Sequence, residues 1–243
     1  MSTVFISGVN KGFGLSMLKR FLCRGDYVIG TYRTMSDELK TIAAKYSEQC
    51  EYIYMDLNDP DTIDEAIDRI SVEKIDYMIN NAATSAGVGP IYQYKDEIKM
   101  VFQVNVFGHM KVVSRAYERG LLINGCSVIN VTSMAAFNPI QLLGAYCVSK
   151  AAFEAYSRCL AKELADKNIR INSVGISADT DLYHTHAIEK AKWGYEKTIN
   201  RIRAGEHMPD PYNATFVVAF LASEESTHIT GQHIECNSMD VMI

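Results

Sequence analysis

Short apolar runs alternate with longer amphipathic stretches along most of the chain. The apolar runs predict buried strands at residues 3–7, 27–32, 51–55, 75–79, 127–131, 169–174 and 233–236. The amphipathic stretches predict helices at residues 15–23, 37–46, 95–118, 145–166 and 212–223, with one more after Pro60. This alternation predicts an α/β fold, a doubly wound parallel sheet of about seven strands with helices on both faces.

The periodicity fails between residues 175 and 211, a segment rich in His, Tyr, Lys and Glu. Long irregular segments in compact domains are usually lids or binding loops, so we expect a substrate lid at about 175–211. No repeat, linker or low-complexity tract interrupts the rest, and residues 1–243 are interpreted as a single domain.

Composition and charge narrow the class of protein. The chain has 243 residues, 48% of them apolar and 22% charged, with a net charge of −5. These values are ordinary for a globular protein and disfavour a role in binding nucleic acid or an anionic membrane. No apolar run approaches the roughly 18–20 residues that span a bilayer, and the first six residues do not resemble a signal peptide.

Cysteine spacing points away from disulfides and metal. The six cysteines form no CxxC pair and have no histidine at metal-ligand spacing. We therefore expect reduced thiols, no metal site and a cytoplasmic location.

A glycine-rich turn follows the first strand and opens the first helix. Its sequence is Gly8-Val9-Asn10-Lys11-Gly12-Phe13-Gly14, with the spacing G-x3-G-x-G. Strand, glycine turn and helix in this order predict a dinucleotide-binding unit, in which the backbone approaches a pyrophosphate at the helix N-terminus.

The end of the second strand bears on which dinucleotide binds. An acidic residue about 20 positions beyond the glycines binds the ribose of NAD, whereas an arginine accommodates the 2′-phosphate of NADP. Arg33 stands at this end between Thr31 and Thr34, with no acidic residue beside it. Together with Lys11 in the glycine turn, it favours NADP(H), although NAD(H) is not excluded and a solvated arginine is the ordinary alternative.

Other polar residues follow later strands or interrupt apolar stretches. Asp56-Leu57 ends the third strand, where the carboxylate could bind an adenine amino group or cap the next helix. Asn81 and Ala82 follow the fourth strand, where small and amide residues suit a close cofactor approach. Asn105 lies in an apolar helical stretch, where it could make a structural hydrogen bond or hold a water chain.

Tyr146 and Lys150 lie four residues apart on a predicted helix, so they project from one face. A nearby ammonium lowers the pKa of a phenol, which makes the pair a plausible acid/base device. Ser133, at the end of the fifth strand, could bind the reacting oxygen. Most Tyr-x-x-x-Lys pairs are instead a half-buried tyrosine beside a surface lysine.

With these pieces placed, the chain resembles the classical short-chain dehydrogenase/reductases along nearly its whole length. The matching residues are Ser7 to Gly14, Asp56-Leu57, Asn80-Asn81-Ala82, Asn105, Ser133, Tyr146 with Lys150, and Thr230-Gly231-Gln232. The resemblance implies that Tyr146 is the acid/base. It further implies that Lys150 lowers the pKa of this tyrosine and binds ribose, that Ser133 orients the substrate oxygen, and that Asn105 supports a water-linked proton path.

The resemblance also implies a set of cofactor-binding residues. It assigns the pyrophosphate to Gly8, Gly12 and Gly14, the adenine to Asp56 and the adenosine ribose to Asn81. The full predicted set is Gly8, Asn10, Lys11, Gly12, Phe13, Gly14, Arg33, Asp56, Leu57, Asn81, Ala82, Tyr146, Lys150 and Thr180.

The sequence departs from the family pattern at several places. Ser7 replaces a threonine and Ala83 a glycine. Ile176-Ser177 replaces a Pro-Gly pair after the sixth strand, which leaves the nicotinamide contact of Thr180 open, and Asn237-Ser238-Met239 replaces Asp-Gly-Gly.

The resulting hypothesis is an NADP(H)-dependent oxidoreductase that interconverts a carbonyl and a secondary alcohol on a mainly apolar small molecule. The alternatives are a non-catalytic NADP-binding regulator and non-redox chemistry, such as epimerisation or elimination, on the same fold. The family commonly forms dimers and tetramers, and we expect a homotetramer. Residues expected to face the substrate are Ser85, Val88, Tyr92, Met134, Phe137, Gln141, Leu142, Tyr183, His184 and Trp193. His184 and His186 are interpreted as ordinary hydrogen-bonding histidines of the lid.

Overall fold

Strands and helices alternate along the chain and build one parallel sheet. The structure, a computed structural model, describes residues 1–85, 87–93, 96–205 and 208–236. Its strands are β1 (Thr3–Ile6), β2 (Tyr27–Tyr32), β3 (Cys50–Tyr54), β4 (Ile75–Asn80), β5 (Leu122–Val131), β6 (Arg170–Ile176) and β7 (His233–Cys236). They pair in the order β3-β2-β1-β4-β5-β6-β7, and every pairing is parallel. The predicted doubly wound α/β sheet is confirmed.

Helices cover both faces of this sheet. They are α1 (Gly12–Cys23), α2 (Asp37–Lys45), α3 (Pro60–Arg69), α4 (Glu97–Phe102), α5 (Gly108–Glu118), α6 (Gly144–Glu163), α7 (Asp181–Ala191), α8 (Lys197–Arg203) and α9 (Pro211–Leu221). One large apolar core lies under α3, α5 and α6, a second lies under α1, α2 and α9, and a small third cluster contains Ala135, Leu143 and Cys147. Within the described ranges, no helix is long and apolar enough to cross a bilayer.

Local chemistry starts several of these helices. Ser36 caps α2, because its hydroxyl accepts a hydrogen bond from the backbone N–H of Leu39. Asp59 and Asp210 cap α3 and α9, each directly before a proline at the first helical position.

One predicted helix and one predicted strand differ from the observed ones. The helix expected at 95–118 is divided, because a π-helical turn at Gln103–Phe107 separates α4 from α5; its expected start at Lys95 lies outside the described residues. Strand β5 begins at Leu122 rather than at 127, since Leu122 pairs with Ile75 across a register shift.

The segment expected to be irregular is largely helical, so that prediction is wrong. It contains α7 and α8, and Thr180 caps α7 by accepting a hydrogen bond from the N–H of Tyr183 at 3.3 Å. Only Ala187 of α7 is buried. Because these helices bury so little, their sequence carries no helical repeat of apolar residues.

A charged cluster ties β7 to α6. His233 Nδ1 lies 3.0 Å from Glu154 Oε2, and its Nε2 lies 2.6 Å from Glu235 Oε1. Burial acts to lower the pKa of His233, but the two carboxylates outweigh it and raise that pKa to about 9. The resulting imidazolium neutralises the carboxylate of Glu154, a residue that is only 1% exposed.

Candidate active site

One cavity of about 490 Å³ opens at the carboxyl edge of the sheet. The glycine turn after β1, the ends of β2, β4 and β5, the first turns of α6 and the segment after β6 form its walls. Open parallel sheets bind their ligands at this edge. All the predicted cofactor-binding residues line the cavity, and so do Ser133, Tyr146 and Lys150; Asn105 does not.

The backbone of the glycine turn is packed too closely to accept a side chain at Gly14. Gly8 and Gly12 have φ angles of +75° and +56°, a region that favours glycine. A Cβ at Gly14 would lie 2.0 Å from the carbonyl oxygen of Gly8. The bare backbone next to the N-terminus of α1 therefore fits the pyrophosphate of a dinucleotide.

Asn81 holds this turn in place. Its Nδ2 donates to the carbonyl oxygens of Ser7 and Gly8 at 2.9 and 3.1 Å. The hydroxyl oxygen of Ser7 accepts in return from the backbone N–H groups of Asn81 and Ala82. The amide nitrogen of Asn81 is thus engaged with the turn itself, and the side chain positions the backbone that a cofactor would contact.

The two basic residues predicted to bind the cofactor, Arg33 and Lys11, differ in their contacts. Arg33 is exposed at the end of β2 and lines the cavity. Lys11 Nζ lies 3.5 Å from Asp181 Oδ2 at the start of α7, in a pair that is mostly exposed. Of the two predicted basic contacts, Lys11 is therefore paired with the first residue of α7, and Arg33 is the cation at the end of β2.

The carboxylate of Asp56 lines the cavity and stabilises a local turn. Its Oδ1 accepts a hydrogen bond from the N–H of Asn58 at 2.9 Å. Asp59 caps the following helix, so the alternative in which Asp56 is the cap is wrong.

Tyr146 and Lys150 both lie on the first turns of α6 and face the cavity. Lys150 Nζ donates to the carbonyl oxygen of Val131 at 2.8 Å and lies 5.7 Å from the centroid of the Tyr146 ring. Burial lowers the pKa of Lys150 to about 7. Burial also raises the pKa of Tyr146 to about 12, although a hydrogen bond with Ser133 acts to lower it. The pKa of the phenol therefore shifts opposite to the expected direction.

Ser133 and the strained Leu142 both belong to the segment that connects β5 to α6, the helix that carries Tyr146. Ser133 follows β5, and its hydroxyl accepts a hydrogen bond from the N–H of Ala135 at 3.1 Å. Leu142 has a φ of +67°, which is unusual for a residue with a side chain, and its carbonyl oxygen accepts from the N–H of Gly89 at 2.8 Å. Such strain is concentrated at functional sites, where it fixes the approach of a reacting group.

Asn105 is fully buried in the π-helical turn. Its amide exchanges two hydrogen bonds of 2.8 Å with the backbone of Thr84, and its Nδ2 also donates to Ser149 Oγ at 3.0 Å. The side chain of Asn105 thus links α6 to the segment after β4 through structural hydrogen bonds, the first of the two roles considered for it from the sequence. Sequence analysis missed Thr84, whose backbone supplies two of these bonds.

The residues expected to face the substrate divide into two groups. Met134 and Tyr183 line the cavity. Trp193 instead donates from Nε1 to the carbonyl oxygen of Val88 at 3.0 Å, Tyr92 is 83% exposed, and Phe137 packs against the ring of His233. Ser85, Gln141, Leu142 and His184 also lie outside the residues that line the cavity.

His186 is a cavity residue that sequence analysis set aside. It lines the cavity from α7, and its ring centroid lies 5.8 Å from that of Tyr146. The sequence held no signal for this placement, because the helix that presents His186 was not predicted.

Comparison with known proteins identifies relatives along most of the chain. A family model described as enoyl-(acyl carrier protein) reductase matches residues 8–238. The fatty acyl-CoA reductase of Acinetobacter baylyi is 30% identical over 175 residues, which are 70% of this chain and 59% of that protein. The (S)-acetoin-forming diacetyl reductase of Staphylococcus epidermidis is 31% identical over 179 residues, 66% of each chain. The chain thus spans less than two thirds of the length of these two relatives.

Solved structures share the fold. A variant of actinorhodin polyketide ketoreductase with NADPH superimposes with a TM-score of 0.85 at 20% identity, covering 97% of this chain and 95% of that one. The 3-ketoacyl-(acyl-carrier-protein) reductase of Brucella melitensis with NADH gives 0.81 at 24% identity, covering 97% and 96%.

Proposed function

The chain belongs to the short-chain dehydrogenase/reductase family and is an oxidoreductase of CH–OH and C=O groups, and we propose that it interconverts a ketone and a secondary alcohol with NADP(H). The observation that carries this proposal is the cavity that joins the glycine turn to Ser133, Tyr146 and Lys150. A dinucleotide bound at the glycine turn would therefore extend along the same cavity toward these three side chains.

The cofactor supplies a hydride to the carbonyl carbon when bound. Tyr146 donates its phenolic proton to the carbonyl oxygen, so the substrate gains one hydride and one proton and leaves as the alcohol. A phenol whose pKa is raised to about 12 carries its proton at neutral pH but is a weak acid, so the transfer requires stabilisation of the phenolate that it leaves.

Ser133 and Lys150 assist this proton transfer. The hydroxyl of Ser133, which interacts with Tyr146, would bind and orient the same carbonyl oxygen. With a pKa near 7, Lys150 is partly protonated at neutral pH, and its charge would stabilise the phenolate that remains after the transfer.

The substrate is proposed to be a mainly apolar or neutral carbonyl compound. Four of the residues that line the cavity are apolar and support this class: Met134, Ile140, Leu143 and Ile176. The (S)-acetoin-forming relative carries a diacetyl reductase name, which supports small carbonyl compounds as the first class to screen. The protein is proposed to act in the cytoplasm and to assemble as a homotetramer.

The proposed preference for NADP(H) over NAD(H) can be tested at Arg33. Arg33→Asp should raise KM for NADPH about 10–100-fold, because a charge-assisted hydrogen bond to phosphate contributes about 1.5–3 kcal/mol. KM for NADH should fall or stay constant. Initial rates with each cofactor and one ketone measure both constants.

The matched control is Arg69→Asp, which makes the same charge change on the exposed end of α3, outside the residues lining the cavity. It should leave the ratio of the two KM values in place. An Arg33→Asp variant that retains the wild-type ratio would show that Arg33 does not select the 2′-phosphate.

A further inference from the structure

His186 brings a second polar ring to the reacting end of the cavity. Its centroid lies 5.8 Å from that of Tyr146, with the ring planes at 66°. It extends from the lid helix α7, whereas Tyr146 belongs to α6, so the two rings approach the same space from different walls. The proposed proton transfer uses Tyr146 but gives His186 no part.

One nitrogen of this imidazole is engaged and the other is not. Nε2 lies 2.5 Å from Ser85 Oγ, in a contact that joins the lid to the segment after β4. Across the described ranges of the chain, Nδ1 makes no hydrogen bond. A neutral imidazole has one donor and one acceptor nitrogen, so donation by the Ser85 hydroxyl to Nε2 would leave the proton on Nδ1.

The imidazole of His186 is uncharged at neutral pH. Burial, and to a smaller extent the positive charge of Lys190, lower the pKa of His186 to about 4. A neutral ring offers a carboxylate or a phosphate less than a cation would. It suits an uncharged oxygen, such as that of a ketone or a hydroxyl group.

We propose that His186 binds a second neutral oxygen of the substrate, carried on a carbon adjacent to the reacting carbonyl. The substrate class is therefore vicinal dicarbonyls and α-hydroxyketones, an assignment that rests on the ketone reductase function proposed above. Each hydrogen bond spans about 2.7–3.0 Å, and the ring centroids are 5.8 Å apart, so two oxygens bound by the two rings would be close enough for one small fragment to carry both.

A purely structural role predicts a different outcome. If the contact between His186 and Ser85 only holds the lid in place, its loss should slow the reduction of every ketone to the same extent. If His186 recognises the second oxygen, its loss should selectively slow the substrates that possess that oxygen.

The test compares hexane-2,3-dione with hexan-2-one, which differ by one carbonyl oxygen. Values of kcat/KM with NADPH are measured for both compounds, and their ratio is compared between enzymes, so that the intrinsic reactivity of the dione cancels. His186→Phe keeps a ring of similar size but removes both nitrogens, and it should lower this ratio about tenfold, the effect of one hydrogen bond. His186→Asn, which places a polar atom near the position of Nδ1, should restore part of the ratio.

His184→Phe is the matched control. His184 lies on the same helix, pairs with Asp179 and is outside the residues that line the cavity. Its substitution should leave the ratio within about twofold. Thermal melts with NADPH verify folding, and if His186→Phe does not fold, His186→Gln, which keeps a polar atom near Ser85 but lacks Nδ1, should give the same loss of ratio.

Equal loss of activity on both compounds, or an unchanged ratio, in the His186 variants would overturn this assignment while leaving the ketone reductase function standing. A wild-type protein that reduces neither compound with NADPH or NADH would overturn both proposals.

Discussion

The Tyr146 and Lys150 pair shows what residue spacing can and cannot predict. Four-residue spacing on a helix correctly places both side chains on the wall of one cavity. The shift in the pKa of Tyr146 does not follow from spacing, because it depends on burial by residues that are remote in the sequence. Lys150 is only 2% exposed, so its own charge is destabilised before it can influence the phenol.

Replacing Lys150 by Met should stabilise the cofactor-free protein at pH 6 while reducing turnover. Burial shifts the pKa of Lys150 from 10.5 to about 7, so protonation disfavours the folded state. After allowing for the hydrogen bond lost at Val131, the gain is on the order of 2 kcal/mol. Urea unfolding of both proteins from pH 6 to pH 10 measures it.

The pH dependence of this gain has a defined sign. Between the folded pKa near 7 and the unfolded value of 10.5, the unfolded wild-type chain binds more protons, so wild-type stability rises with pH. The advantage of Lys150→Met should therefore be largest below pH 7 and diminish toward pH 10. A constant difference across this range would show that the buried charge is not its cause.

At the scale of elements, the sequence predicts what local chemistry determines and misses what tertiary contacts determine. The glycine turn and α1 follow from residues that are neighbours in the chain. The π-helical turn at Gln103–Phe107 does not, because the same residues fit an ordinary helix, and the bonds of Asn105 to Thr84 and Ser149 join residues that are distant in the sequence.

Asn105→Ala should lower the free energy of unfolding by about 2–4 kcal/mol, since it leaves the N–H and C=O of Thr84 without their side-chain partners. Urea denaturation measures this loss. Gln103→Ala is the matched control in the same turn, where the amide makes a single longer hydrogen bond of 3.3 Å to the carbonyl oxygen of Leu57.

The control should cost less than about 1 kcal/mol. If Asn105→Ala is no more harmful than Gln103→Ala, the amide of Asn105 does not maintain this turn.

At the scale of the whole molecule, the carboxyl edge of the sheet determines which residues meet. Parallel strands end at one edge, and this rule was sufficient to predict from sequence that Arg33, Asn81, Ser133 and the glycine turn share a cavity. The contacts of α7 could not be predicted in this way. His186 and Ser85 are 101 positions apart, and the pairing of Lys11 with Asp181 depends equally on where α7 lies relative to the glycine turn.

We propose that the cavity carries out hydride and proton transfer with Tyr146 as the acid/base. The decisive experiment follows NADPH consumption and alcohol formation by wild-type protein and Tyr146→Phe with the same ketone, alongside the Kd for NADPH. We expect one NADPH to be consumed per alcohol formed and kcat of the variant to fall about 10²–10⁴-fold. The Kd should weaken by at most about tenfold, the effect of one hydrogen bond. Turnover at the wild-type rate by Tyr146→Phe, or product formed without NADPH consumption, would show that Tyr146 is not the acid/base of a hydride transfer.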